Sequence, residues 1–133
     1  MNLGCIGFMK YKTNCLNREA ACAEENSNAH LVEIFNQEQQ DFMKLKANEV
    51  RKSLGKNYLY WWIGAKMKNG AMHWTHSNIK VSFWPPGMKN QMNGDGSNEC
   101  GYARGRDSEF NWSGNDKSKN YHPICQINLR PWS

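Results

Sequence analysis

The segment from Pro85 to Cys100, PPGMKNQMNGDGSNEC, is rich in side chains able to hold a ligand. Asn90, Asn93 and Asn98 offer amides that both donate and accept hydrogen bonds, and Asp95 and Glu99 offer carboxylates. The segment has no hydrophobic period, and a patternless stretch of this length inside a compact domain is usually functional or disordered. Its acids and glycines suggest a cation loop, but an EF-hand assignment fails. With Gly96 in the obligatory sixth place, the first and twelfth places fall on Gln91 and Tyr102, neither a carboxylate. The histidines add no metal site. His73 and His76 are three residues apart in a strand-like stretch and so point to opposite faces, while His30 and His122 stand alone as structural histidines. No Gly-x-Ser-x-Gly, His-Glu-x-x-His or P-loop occurs, and no enzyme is expected.

The whole chain narrows the choice further. Its 133 residues suggest a single domain over 1–133. A net charge of +5 is spread over separated pairs such as Lys10 and Lys12 or Arg104 and Arg106, with no basic block. That pattern describes a basic surface and gives no reason to expect nucleic acid as a partner. No apolar run approaches the roughly 20 residues that cross a bilayer, so no membrane insertion is expected. Five cysteines, at 5, 15, 22, 100 and 125, form neither Cys-x-x-Cys nor Cys-x-x-His. Disulfides in an oxidising compartment fit better than zinc, and the odd count leaves one cysteine free or joined to another chain.

Two helices should come first. Residues 14–26 read as one, with Asn14 as N-cap and good helix formers at Ala20, Ala21 and Ala23. Residues 31–35 read as a short strand. Asn36 then caps a second helix with Gln39 three residues on, Met43, Ala47, Val50 and Leu54 form one apolar stripe, and Gly55 ends it. Beyond it the sequence turns β-favouring. YLYWWIGA (58–65), an Asn69-Gly70 turn and AMHWTH (71–76) form a hairpin, and strands follow in ECGYAR (99–104), EFNW (109–112) and PICQINL (123–129). The class is α+β.

Several stretches then combine: AHLVEI at 29–34 with Cys22 seven residues before it, WWIGAK at 61–66, HW at 73–74, FWPPG at 83–87, NECGYA at 98–103, Trp112, and YHPICQI at 121–127. In this order and spacing they resemble a C-type lectin-like domain across nearly the whole chain. The resemblance implies two helices flanking two small antiparallel sheets, with a long loop region that carries the ligand site. It implies a disulfide between Cys22 and Cys125. Cys100 matches a cysteine whose family partner would fall at Lys117, so that second bridge cannot form, and Cys100 becomes a buried thiol or finds another partner. Cys5 and Cys15 could bond to each other, but the odd count favours an interchain disulfide at one of them, and hence a homo- or heterodimer.

Sugar-binding members hold calcium through Glu-Pro-Asn, a glutamate just before a strand cysteine, and Trp-Asn-Asp. The matching positions here read Met88-Lys89-Asn90, Asn98 and Trp112-Ser113-Gly114, with Asn115 and Asp116 two residues late. Calcium wants six to eight oxygens, several from carboxylates. Neutral groups replace most of them and Lys89 adds a positive charge, so no metal and no cofactor are expected. A sugar held without metal remains, with Lys89, Asn90, Asn98, Glu99, Asn115 and Asp116 as its site and Arg104 and Asp107 at the outer edge. Trp62, Trp74 and Trp112 are expected in the core. The expectation is a secreted, calcium-independent lectin that recognises cell-surface glycans, N-acetylated hexosamines among them, in innate recognition or agglutination. The alternatives are a lectin-like protein that binds a protein partner and a basic polyanion binder.

Overall fold

The structure is a computed structural model and describes residues 5–88, 100–115 and 118–127. Within it α2 (Gln37–Ser53) follows its sequence signals closely. Asn36 Oδ1 accepts from the Gln39 N–H at 2.8 Å, and Gln39 Oε1 accepts from the Phe35 N–H at 2.7 Å. The exchange satisfies one donor of the first helical turn and one on the residue before the cap. Met43 and Ala47 are fully buried, Val50 and Leu54 pack at the margin, and Gly55 leaves the helix at φ 67°. The first helix, α1 (Arg18–Glu25), is shorter than 14–26. Asn14 Oδ1 accepts from the Asn17 N–H at 2.9 Å, so it closes a turn ahead of the helix instead of capping it.

Among the described residues seven strands follow in order: β1 (Cys5–Phe8), β2 (Ala29–Leu31), β3 (Tyr58–Lys68), β4 (Ala71–Trp74), β5 (Cys100–Arg106), β6 (Glu109–Asn115) and β7 (His122–Ile127). β1 and β2 pair antiparallel with β7, and β4, β3, β5 and β6 form a second antiparallel group. A short parallel contact, Trp61 with His122 and Trp62 with Pro123, joins the groups through β7. The result is an α+β architecture of two helices and a mixed sheet. The Asn69-Gly70 turn has φ 52° and 80°, as a two-residue hairpin turn requires. The strand expected at 31–35 starts at Ala29 and stops at Leu31. Beyond it Val32 bridges two strands, donating to Ile124 O at 2.9 Å and accepting from Gly64 N–H at 2.8 Å. A Cβ on Gly64 would lie 2.9 Å from Val32 O, so this crossing needs glycine.

Alternation along β3 builds two apolar clusters. Trp61 and Ile63 join Ala103, Phe110, Trp112 and the α2 stripe in the main core, together with Trp74. Trp62 points the other way, into a smaller cluster with Leu31 and four cysteines. All three tryptophans expected in the core are 0–1 % exposed. Cys22 is bonded to Cys125, tying α1 to β7.

The second bridge corrects the expectation for Cys15 and Cys100. Cys15 is bonded to Cys100, so neither an interchain bond nor a Cys5–Cys15 bridge can use Cys15, and Cys100 is no free thiol. The reason lies in the packing of α1: Arg18 reaches the Gly101 carbonyl at 3.2 Å, which brings the turn holding Cys15 beside the start of β5. Cys5 is exposed and outside both bridges.

Two histidines are structural in different ways. His30 Nδ1 lies 2.7 Å from Leu31 O, its ring stacks on His76 at 3.7 Å, and its buried Nε2 has no partner among the described residues. His122, 8 % exposed, has Nδ1 3.1 Å from Met9 O. Burial, and then the charge of Lys12, hold the His122 imidazole below its ordinary pKa against that hydrogen bond. The unfolded chain therefore takes up a proton near pH 6.5 that the folded chain still refuses, and stability falls as pH drops from about 6.5 through the lower folded value. Urea midpoints at neutral and mildly acid pH should show less acid loss in His122→Gln than in the native chain. An equal loss would remove His122 from the account.

Candidate functional site

The outer face of the central strands is the part of the sheet the smaller cluster leaves open. Cross-strand register sets its composition. Tyr60 on β3 faces Arg104 on β5, which faces Asn111 on β6; one step along, Trp62, Tyr102 and Ser113 form the parallel row. Tyr60, Tyr102, Arg104, Asn111 and Ser113 are all half-buried. They line a cavity of about 290 Å³ whose far wall is Pro86, Gly87 and Met88. Met88 closes the free edge of β6 by accepting the Trp112 N–H on its sulfur at 3.3 Å.

Each side chain is held by its surroundings. Tyr60 and Tyr102 meet edge to face at 5.7 Å, and Tyr121 packs against both at 5.0 Å. Asn111 donates through Nδ2 to Glu109 at 2.8 Å, which orients its Oδ1 as an acceptor. Below them Trp112 is fixed by Gln40: the indole N–H donates to Gln40 Oε1 at 2.9 Å, and Gln40 Nε2 donates to Phe110 O at 2.8 Å. Arg104 has no ion-pair partner among the described residues. The cavity thus combines tyrosine ring faces with an amide, a hydroxyl and a guanidinium.

The expected site residues relate to this cavity unevenly. Lys89, Asn90, Asn98, Glu99 and Asp116 lie outside the described residues. Asn115 is the last residue of β6, paired through its backbone with Cys100. Arg104 lines the cavity. Asp107 sits at φ 55° in the turn between β5 and β6, where its carbonyl accepts from Arg51 Nη2 at 3.2 Å. Tyr60, Tyr102, Asn111 and Ser113 were not singled out as binding residues from the sequence. The signal existed: aromatic and polar residues alternate with core residues along 58–62 and 102–106, a two-residue period with one wet face.

Calcium, which the resemblance raises, does not fit the described side chains. The cavity presents a guanidinium, an amide and a hydroxyl, whereas the ion needs several carboxylate oxygens. Among the described residues no three His, Cys, Asp or Glu side chains converge on one point.

Comparison with known proteins gives a consistent picture. A sequence profile described as Lectin C-type domain matches residues 11–127. No curated protein sequence matches the chain. Among solved structures, the mouse scavenger receptor C-type lectin carbohydrate-recognition domain superposes with a TM-score of 0.70 at 18% identity, covering 100% of this chain and 94% of that one. The C-type lectin CEL-I from Cucumaria echinata gives 0.72 at 18% identity, covering 98% and 94%. A calcium-independent type II antifreeze protein gives 0.69 at 19% identity, covering 96% and 88%. At these identities the likeness is one of fold.

Proposed function

The chain belongs to the C-type lectin domain family, and on that premise we propose that it is a secreted, metal-independent lectin, a single binding domain and not an enzyme. The observation that carries this is the cavity at the root of the 85–100 segment, where tyrosine faces adjoin Asn111, Ser113 and Arg104. Tyrosine rings cover the apolar face of a pyranose or an acetamido methyl, and the polar groups supply directed hydrogen bonds. Lys89, Asn90, Asn98, Glu99, Asn115 and Asp116 complete the proposed site from the adjoining segments, and N-acetylated hexosamines suit its neutral amides.

Agglutination needs two sites on one particle, and exposed Cys5 offers an interchain disulfide that would provide them. The test is inhibition of cell agglutination by simple sugars. Inhibition by N-acetylated hexosamines, unchanged by EDTA and weakened about tenfold by Asn111→Ala, is expected, as the loss of a ligand hydrogen bond worth about 1 kcal/mol or a little more implies. Cys5→Ser should abolish agglutination while leaving sugar affinity intact. Sensitivity to EDTA, or indifference to every sugar, would overturn the reading.

A further inference from the structure

A second cavity, of about 530 Å³, lies on the other side of Tyr60, and that ring lines both. Tyr58 and Tyr121 continue the aromatic surface into it: Tyr58 meets Tyr60 at 5.4 Å, and Tyr121 stacks on Tyr60 at 5.0 Å and 30°. Lys12 and Lys56 rise at its margin, with Asn57 and Asn120 between them. No carboxylate of the described residues lines either cavity, and neither Lys12, Lys56 nor Arg104 has an ion-pair partner among the described residues. Two acids lie outside the lining: Glu109 accepts from Asn111 at the β6 end of the first cavity, and Asp107 lies 3.9 Å from Arg106. His122, which also lines this cavity, is held below its ordinary pKa by burial first and then by the charge of Lys12.

We propose that Tyr60 joins the two cavities into one groove that takes an acidic oligosaccharide, a uronic-acid or sulfated sugar chain. The inference rests on the sugar-binding reading and adds the ligand's charge and length. From Asn111 on β6 across β5 and β3 to Tyr121 beside β7, the surface spans three strand spacings, roughly 14 Å. That suits several linked sugars better than one. Pyranose faces lie on Tyr58, Tyr60 and Tyr121, and the acidic groups pair with Lys12, Lys56 and Arg104. Charge alone would not explain why the cations flank a row of rings. Rings alone would not explain why, among the described residues, the charged side chains lining the groove are all basic.

Calorimetric titration with a heparin-derived tetrasaccharide and with a neutral chitotetraose tests this. The acidic chain should bind about tenfold more tightly, as charge-assisted hydrogen bonds would provide. In Lys12→Ala/Lys56→Ala that preference should shrink to about twofold, the part Arg104 still supplies, while chitotetraose binding changes less than about twofold, these being exposed side chains whose loss is ordinarily small for the fold. Tyr60→Ala should weaken both ligands. Equal affinity for the two sugars overturns the acidic groove yet leaves the lectin reading standing. If chitotetraose fails to bind and heparin binding survives Tyr58→Ala and Tyr60→Ala, falling only with salt, both readings fail in favour of plain charge attraction. Equal binding of a single-stranded oligonucleotide also overturns the sugar-chain assignment.

Discussion

Arg18→Met is expected to lower the stability of the fold by about 3–5 kcal/mol, because three buried carbonyls lose the hydrogen bonds that the guanidinium donates. Arg18 is 1 % exposed, and its guanidinium donates to Ile63 O at 2.8 Å, Ala65 O at 2.9 Å and Gly101 O at 3.2 Å. These acceptors lie where β3 and β5 fall out of register, between Trp62 and Lys66. Gly64, at the centre of the irregularity, is already engaged by Val32 and Thr75. The fork of Arg18 therefore takes the place of ladder donors that the bulge removes. Burial lowers its pKa to about 10, with Glu19 opposing the shift, so the group stays charged at neutral pH. Methionine would relieve that desolvation, which is why the expected loss lies in the lower part of the sum of three penalties of about 1–3 kcal/mol each. Arg18→Lys, with one compact ammonium, should fall between the two. Urea unfolding measures all three chains. A loss below about 1 kcal/mol in Arg18→Met would show that water or relaxation satisfies the carbonyls as well as arginine does.

The same side chain shows where the sequence was legible and where it was not. α2 and the β3–β4 hairpin rest on local rules: a cap at Asn36, an apolar stripe, a turn at Asn69-Gly70. Each of these is readable in a window of a few residues, and each holds. Arg18 is different because its partners lie 45, 47 and 83 residues away. An arginine at the start of a polar helix looks like a solvated charge until the bulge it fills is known. Cys15 failed for the same reason. Family spacing assigned Cys22 and Cys125 correctly, but the partner of Cys15 is decided by how the first turn of α1 meets β5. The candidate site divides along this line too. Tyr60, Tyr102 and Arg104 follow a two-residue period and were within reach. That Asn111 and Ser113 stand opposite them depends on strand register, which no short window contains.

Removing the Cys15–Cys100 bridge, as Cys15→Ala/Cys100→Ala, should cost about 2–5 kcal/mol, a large share of the 5–15 kcal/mol typical of a whole domain. The bridge closes 85 residues and Cys22–Cys125 closes 103. In the chain-entropy model these differ by only about 0.2 kcal/mol, so the two double variants should be about equally destabilised. Their functional effects should diverge. Cys22–Cys125 fastens α1 to β7, which contributes no residue to the lining of the Pro86–Met88 cavity. Cys100 is the residue at which segment 89–99 rejoins the sheet, opposite Asn115 and two residues before Tyr102. Where both variants remain folded, loss of the Cys15–Cys100 bridge should weaken binding of a simple sugar more than loss of the Cys22–Cys125 bridge does. Thiol titration of the unfolded, unreduced wild-type monomer should find one thiol, Cys5, in a chain of five cysteines. Three thiols would mean that the second bridge is absent. Unequal stability losses would show that packing around the cysteines outweighs loop closure, since all four lie within 5 % exposure in one cluster with Trp62.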